Sequence, residues 1–468
     1  MRKATKLYAL LGVLIVVCVA AFAVSRYEEK IEQIKYSGEV ILEIPTDSVT
    51  ALSWTNESGT FSFTKDETWV YDDDNAFPVD EEKINDLLEQ FTSFAAAFAI
   101  DDVEDYAQYG LDEPICTIHI IAGEKSDTVE LGDFSKMDEQ RYVSIGDGRA
   151  YLVSQDPMED FDAVLADMIL DDTIPEFDTA EEITFSGSES YTIIRDEDGK
   201  SICPSDVYFT DGKPLDTDNV KTLLKTLQGL SLTDFASYNV SDEELSDYGL
   251  TSPDLTIGIT YNTLDEDGQK ADSGDFRLAL SRNAEEYAAY LEAVDKDEEE
   301  LPEVSCYARL DDSQIVYKIS LNDYETLTAV SYDTLRHQKL FTADFDTVTA
   351  IDATVDGKTH TFTYTPPEEK NEEGTWYYGE ESFDVYALKT ALTSLSAQKF
   401  TAEKAAGQQE ISLTVHLASE DFPTVTLTLC RLDGTSCIAA VDGKTVALVS
   451  RSQTVNLVEA VNALTLGS

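Results

Sequence analysis

The side chains able to do chemistry in this chain are few for its length and widely scattered. Four histidines occur in 468 residues: His119, His337, His360 and His416. None stands in the spacing of a zinc-protease helix, a zinc ribbon or a CxxC redox centre. A GxSxG elbow, a P-loop and a Rossmann glycine pattern are absent as well. His119 and His416 fall at similar points of two strand-like runs, CTIHII and LTVHL, which points to a structural role. Asp72-Asp73-Asp74-Asn75 and Asp196-Glu197-Asp198-Gly199 resemble calcium loops in composition. Both lack the spaced ligands and terminal glutamate of an EF-hand and read as acidic turns. With 92 acidic residues, carboxylate pairs for hydrolysis can be drawn almost anywhere, so none can be singled out. The sequence nominates no catalytic, cofactor-binding or metal-ligating set.

Cysteine chemistry is equally sparse. Of six cysteines, Cys18 lies in the N-terminal apolar run and the remaining five form an odd set. Cys430 and Cys437 are the one candidate disulfide. A two-residue turn at Asp433-Gly434 would set them opposite each other across a hairpin, with Cα atoms about 5.5 Å apart. The alternative is a pair of reduced cysteines acting as small strand residues.

The elements that must position these groups recur three times. Each copy opens on an Asp-Ser or Asp-Thr step, at Asp47, Asp178 and Asp346, leading into alternating strands VTALSW, AEEITF and VTAIDA. A second strand follows, then a short aromatic one in which Trp69 and Trp376 take matching places. An aromatic at one point of a repeat is expected in the core. Asp80, Asp216 and Asp384 then stand at the N-cap of three helices. Their apolar stripes are Ile84/Leu87/Leu88/Phe91, Val220/Leu223/Leu224/Leu227 and Leu388/Ala391/Leu392/Leu395. Identical spacing predicts three helices, each laid on a sheet.

The clearest echo follows the helix: Tyr109-Gly110-Leu111 with Pro114, and Tyr248-Gly249-Leu250 with Pro253. The glycines are expected in a turn conformation closed to other residues, and the prolines stop any helix before the next strand. Copy three lacks this element. All three close on a hairpin, RYVSIGDGRAYLVS, CYARLDDSQIVYKIS and CIAAVDGKTVALVS, and a further helix at 157–170, 323–335 and 453–464. Copy two carries an acidic insertion at about 283–302, expected as a solvated helix and loop. The fold class that follows is α+β: three tandem modules of antiparallel-rich sheet with packed helices, at 41–176, 177–344 and 345–468.

The segment ahead of the modules sets location. Arg2, Lys3 and Lys6 precede Leu7–Val24, a run without charge, and Arg26 closes it. Such a run spans ~27 Å as a helix, enough for a bilayer core. Residues 1–6 are then cytoplasmic, 7–25 a transmembrane signal-anchor, and 26–40 a helical stalk that leads to an extracytoplasmic bulk. Ala21-Phe22-Ala23 leaves cleavage as a signal peptide open. The net charge of -59 repels phosphates and anionic lipid headgroups, which excludes a nucleic-acid partner.

Laid out in this way, the chain resembles the domain-of-unknown-function family 4340 (DUF4340). The likeness rests on the anchor, the YGL-x-x-P element, Leu131-Gly132-Asp133 followed by RYVSIGDGRAYLVS, and the segment Asp333–Ile351. It implies a membrane-anchored bacterial accessory protein, linked to ABC transporter subunits or gliding-motility-type auxiliary components, without catalytic residues. Three expectations follow: a non-catalytic scaffold for an ABC-type transporter, a surface binder of a cationic or carbohydrate ligand, or an extracytoplasmic hydrolase with an unrecognised carboxylate site. The first is preferred, with the protein not an enzyme and carrying no cofactor.

Overall fold

In the computed structural model, residues 38–367, 374–404 and 407–465 are described. They form three antiparallel nine-stranded sheets and eight α-helices. From edge to edge the second sheet runs Lys213–Pro214, Tyr208–Thr210, Ser190–Arg195, Thr179–Gly187, Leu255–Leu264, Lys270–Arg282, Cys306–Leu310, Val316–Ile319 and Phe235–Ser237. The third repeats that order with its own strands, from Glu381–Phe383 at one edge to Lys399–Phe400 at the other. The first follows the same path, lacks the two-residue edge strand, and gains Glu39–Leu42 at the far edge beside Phe94–Ile100. The chain divides into two compact units. One holds the residues up to Thr173 with 232–241 and 313–317; the other holds 174–231, 242–312 and 318 onward.

The repetition extends to irregularities. In every sheet the opening strand carries a register shift near its start, between Val49 and Ala51, Ala180 and Glu182, and Val348 and Ala350. A bulge in the same place three times is a built feature of the unit, since a bulge re-aims the strand that follows. Beyond it the side chains alternate. Leu52 faces Phe63, and Ile351 faces Phe362, with all four side chains fully buried. Trp69 and Trp376 pair with Lys65 and Tyr364 at equivalent positions and are buried; Tyr208, opposite Arg195, takes that place in the second sheet.

The helices Glu81–Glu89, Thr217–Gln228 and Tyr386–Thr393 bury the expected stripes, with Ala391 only partly covered. Asp80 and Asp216 accept first-turn amides, as an N-cap must. Asp384 also accepts an amide, from Tyr386 at 2.8 Å, but the third helix begins one residue later than its counterparts, with Val385 at the cap. After the first helix, Gly110 adopts φ 64, and a Cβ there would lie 2.8 Å from the Asp133 carboxyl. Gly249 repeats the conformation at φ 73. Each closes a short 3-10 turn, through Leu111 N–H to Tyr106 O and Leu250 N–H to Leu245 O.

Three expectations are corrected. The hairpin after Cys430 adds one residue to its loop, because the Asp433 carboxylate accepts the amides of Thr435 and Ser436. Cys430 therefore pairs with Ile438, and Cys437 with Arg431. A one-residue slip turns the two sulfurs to opposite faces, and both thiols are free. The closing helix is continuous only in the third copy, at Arg451–Thr465. In the first it breaks into Met158–Phe161 and a 3-10 turn at Leu165–Met168, and in the second into Leu321–Thr328 and Tyr332–Leu335. The second break is fixed by Ser331, which caps the new helix by accepting the Thr334 amide. The stalk does not reach residue 40, since Glu39–Leu42 is a strand whose Leu42 is buried. The expected anchor at 7–25 and the rest of the stalk lie outside the described residues. Among the described residues no helix is long and apolar enough to cross a membrane.

Candidate functional site

Three segments converge at one end of the second sheet. The first is the link between strands Ser190–Arg195 and Tyr208–Thr210, where Pro204 and Ser205 form a turn closed by the Asp206 amide on Cys203 O at 3.1 Å. The second is the start of helix Thr217–Gln228, tied to the first by the Val207 amide on Thr217 Oγ1 at 3.0 Å. The third is 335–337, held by the Asp216 amide on Leu335 O at 3.0 Å.

This convergence groups Cys203, Asp206 and His337, with ligating atoms all within 4.8 Å of one another. His337 Nε2 lies 2.8 and 3.0 Å from the two oxygens of Asp206. His337 Nδ1 lies 3.2 Å from Asp216 Oδ2. The Asp206 side chain is 1% exposed, and its Oδ2 also accepts from Ser201 Oγ at 2.6 Å. The ring is thus held between two carboxylates, hydrogen-bonded to Asp206 through Nε2 and within ion-pair distance of Asp216 through Nδ1. Burial alone would lower its pKa. The hydrogen bonds to Asp206 and Cys203 and the charges of Asp206 and Asp216 outweigh that, and the ring is pushed up to about 10.

Cys203 differs from every other described cysteine. Burial pushes Cys116 up to about 12 and Cys306 up to about 11, and raises Cys430 and Cys437. The hydrogen bond to His337, helped by Ser205, instead holds the Cys203 thiol below its ordinary value. A thiol so placed is a better nucleophile and a better metal ligand than its buried relatives.

His337 and Ser201 also line a cavity of about 440 Å³ beside Lys200, Arg336, Lys339 and Phe400. The Arg336 guanidinium stacks 3.3 Å from the centre of the Phe400 ring and donates to Val446 O. Lys200 is paired with Asp421 and Arg336 with Asp333, and Asp442 shares the lining, so the cavity carries charges of both signs.

A second cavity, of about 450 Å³, is walled by Phe185, Tyr191, Tyr287, Tyr324, Asp254 and Arg282. Arg282 lies 4.1 Å from the Tyr287 ring and bonds Asp254 at 3.1 Å, which also accepts from Tyr324 OH at 2.9 Å. Tyr287 belongs to helix Ala284–Asp295, so the insertion supplies one wall. Tyr191 OH and Arg282 Nε are buried there without a hydrogen-bond partner in the protein. Strand register places Ile115 and Asp133 at the positions of Asp254 and Arg282 in the first sheet. In the third sheet Glu410 and Arg431 take those positions, 3.9 Å apart.

Of the residues singled out in the sequence, His337 and Asp216 reach the first place and the others do not gather at either. His119 bonds Thr128, His360 bonds Tyr378, and His416 bonds Asp352, each on a strand. His119 and His416 share a face but sit two residues out of register. Asp72 accepts from Ser62 and Thr64, and Asp74 from Tyr238, so these acids are spent on hydrogen bonds. Tyr109 and Tyr248 pack on Tyr142 and Tyr307. The set of Cys203, Asp206 and His337 was missed because 131 residues separate His337 from Asp206. The local signal was the polar SICPSD stretch at 201–206, absent from the short 66–68 link in copy one.

A family model described as "Domain of unknown function (DUF4340)" matches residues 69–253 and again 210–414. Each match begins near the third strand of one sheet and ends within the next, so the family unit straddles a junction between sheets. No curated protein and no solved structure matches the chain.

Proposed function

The chain belongs to the DUF4340 family, and from that premise we propose that it is a non-catalytic, membrane-anchored extracytoplasmic protein that scaffolds an ABC-type transporter complex. The observation that carries this reading is the threefold sheet with one strand order and one bulge, while the chemistry-bearing side chains differ from copy to copy. Repetition of backbone without repetition of a reaction centre adds surface and reach, which is what an accessory subunit needs. The net charge of -59 directs binding toward protein rather than nucleic acid or anionic lipid. The N-terminal apolar run supplies the membrane link, and the family resemblance supplies the class of partner. Crosslinking in intact membranes, followed by purification of the full chain, is expected to recover ABC permease or ATPase subunits. Recovery of none, against an anchored control of similar charge, overturns the proposal.

The cavity around Tyr287 and Arg282 favours a second reading, a surface binder of a carbohydrate. Aromatic faces beside an acid, a base and two unpartnered buried polar atoms suit a sugar better than a cation, which Arg282 would repel. Soluble oligosaccharides tested by calorimetry should include a binder whose affinity falls at least tenfold in Tyr287→Ala. Binding that is indifferent to that change rules the cavity out.

A further inference from the structure

We propose that Cys203, Asp206 and His337 bind a zinc ion. Their donor atoms, a thiol sulfur, a carboxylate oxygen and an imidazole nitrogen, lie within 4.8 Å of one another. Tetrahedral zinc, with sulfur at about 2.3 Å and nitrogen or oxygen at about 2.0 Å, sets its donors roughly 3.3–3.7 Å apart. Side-chain rotations of about 1 Å close that gap.

The surroundings are those of a ligand set held for a metal. Asp216 Oδ2, at ion-pair distance 3.2 Å from His337 Nδ1, favours a proton on that nitrogen, so that loss of the other proton frees Nε2 to coordinate. Metal-bound histidines are held in this way by an outer carboxylate. Ser201 Oγ binds Asp206 Oδ2 at 2.6 Å, which leaves Oδ1 turned to His337 at 2.8 Å. The chelating turn is rigid, because Ser201 Oγ also accepts the Cys203 amide and the Asp206 amide closes on Cys203 O. Asp206 and Asp216 bring two carboxylates to a place where His337 is the facing base, and the Cys203 sulfur lies in the same group. A dication balances them better than one proton does. Sulfur and imidazole select zinc over calcium or magnesium.

The set has no counterpart in the sequence of the other copies, since the matching links at 66–68 and 366–374 hold no cysteine or histidine. It is therefore not a repeated core position. Three protein ligands leave one coordination position for water or an exogenous group. His337 and Ser201 also line the cavity with Lys200, Arg336 and Lys339, so the open position is reached from that cavity.

The test is a cobalt titration of the full chain in detergent, stripped with chelator and kept at high salt to screen surface carboxylates. Cobalt is expected to give a thiolate-to-metal charge-transfer band with intense tetrahedral d–d absorption, saturating at one equivalent and erased by zinc. Carboxylates cannot produce the charge-transfer band, so the acidic surface does not confuse it. Cys203→Ser should abolish the band, while Cys430→Ser leaves it intact. Asp216→Asn, which can still cap its helix, should weaken affinity about 10- to 100-fold. A folded wild-type chain that gives no such band overturns the proposal, as does a band that survives Cys203→Ser.

Discussion

Replacing Asp206 with alanine is expected to destabilise the unit that contains it by about 3–5 kcal/mol, the cost of stranding one member of a buried ion pair. The Asp206 side chain is 1% exposed and holds both His337 Nε2 and Ser201 Oγ. Alanine leaves an imidazolium with Asp216 and the Cys203 sulfur but without its buried carboxylate, and a hydroxyl without its acceptor. The third sheet supplies a matched control. Asp352 also meets a histidine, His416, at 2.8 Å, but the two side chains are 33% and 38% exposed. Water takes over when that pair is broken, so Asp352→Ala should cost no more than about 1 kcal/mol. The measurement is urea denaturation of both variants with chelator present, so that bound metal adds nothing to the wild type. Equal losses in the two variants would show that burial does not set the strength of the Asp206 pair.

How much of this architecture was legible beforehand depended on the range of the contact involved. The helix stripes were readable because a 3.6-residue period is local, and Ile84, Val220 and Leu388 are all fully buried. The two echoes, the YGL element and the closing hairpin, turn out to be one contact. Tyr109 lies 4.9 Å from Tyr142, and Tyr248 5.1 Å from Tyr307. Copy three loses its YGL tyrosine and has Ile438 at the facing position, so motif and partner change together.

Turn chemistry was less transparent. Asp211-Gly212, Asp356-Gly357 and Asp442-Gly443 all take positive φ, as tight hairpin turns require. Asp433-Gly434 has the same letters, yet neither residue takes positive φ, because the Asp433 side chain bonds forward and builds a longer loop. That single residue is what turned Cys430 away from Cys437. The grouping of Cys203 with His337 was illegible for a different reason: it depends on three segments meeting in space, which no spacing rule records.

The broken closing helix of the first copy leads to the other large effect, at Trp54. This side chain is fully buried, stacked 5.5 Å from Phe63, tilted 5.4 Å from Phe61 and edge-on to Phe161 at 5.8 Å. Its Nε1 donates to Ala163 O at 3.0 Å, and Asn56 donates to Phe161 O and Ala163 O. These bonds satisfy the carbonyls that the break at 162–164 sets free, and they clamp Phe161 onto the sheet. Trp54→Ala should therefore cost about 3–5 kcal/mol through the cavity alone. Trp54→Phe keeps an aromatic face but loses the indole donor, and should cost roughly 1–2 kcal/mol because Asn56 still serves the Ala163 carbonyl. Urea denaturation followed by Trp69 fluorescence in a Trp376→Phe background isolates the unit concerned. If alanine and phenylalanine cost the same, packing is not what Trp54 contributes, and the clamp on the broken helix rests on its hydrogen bond.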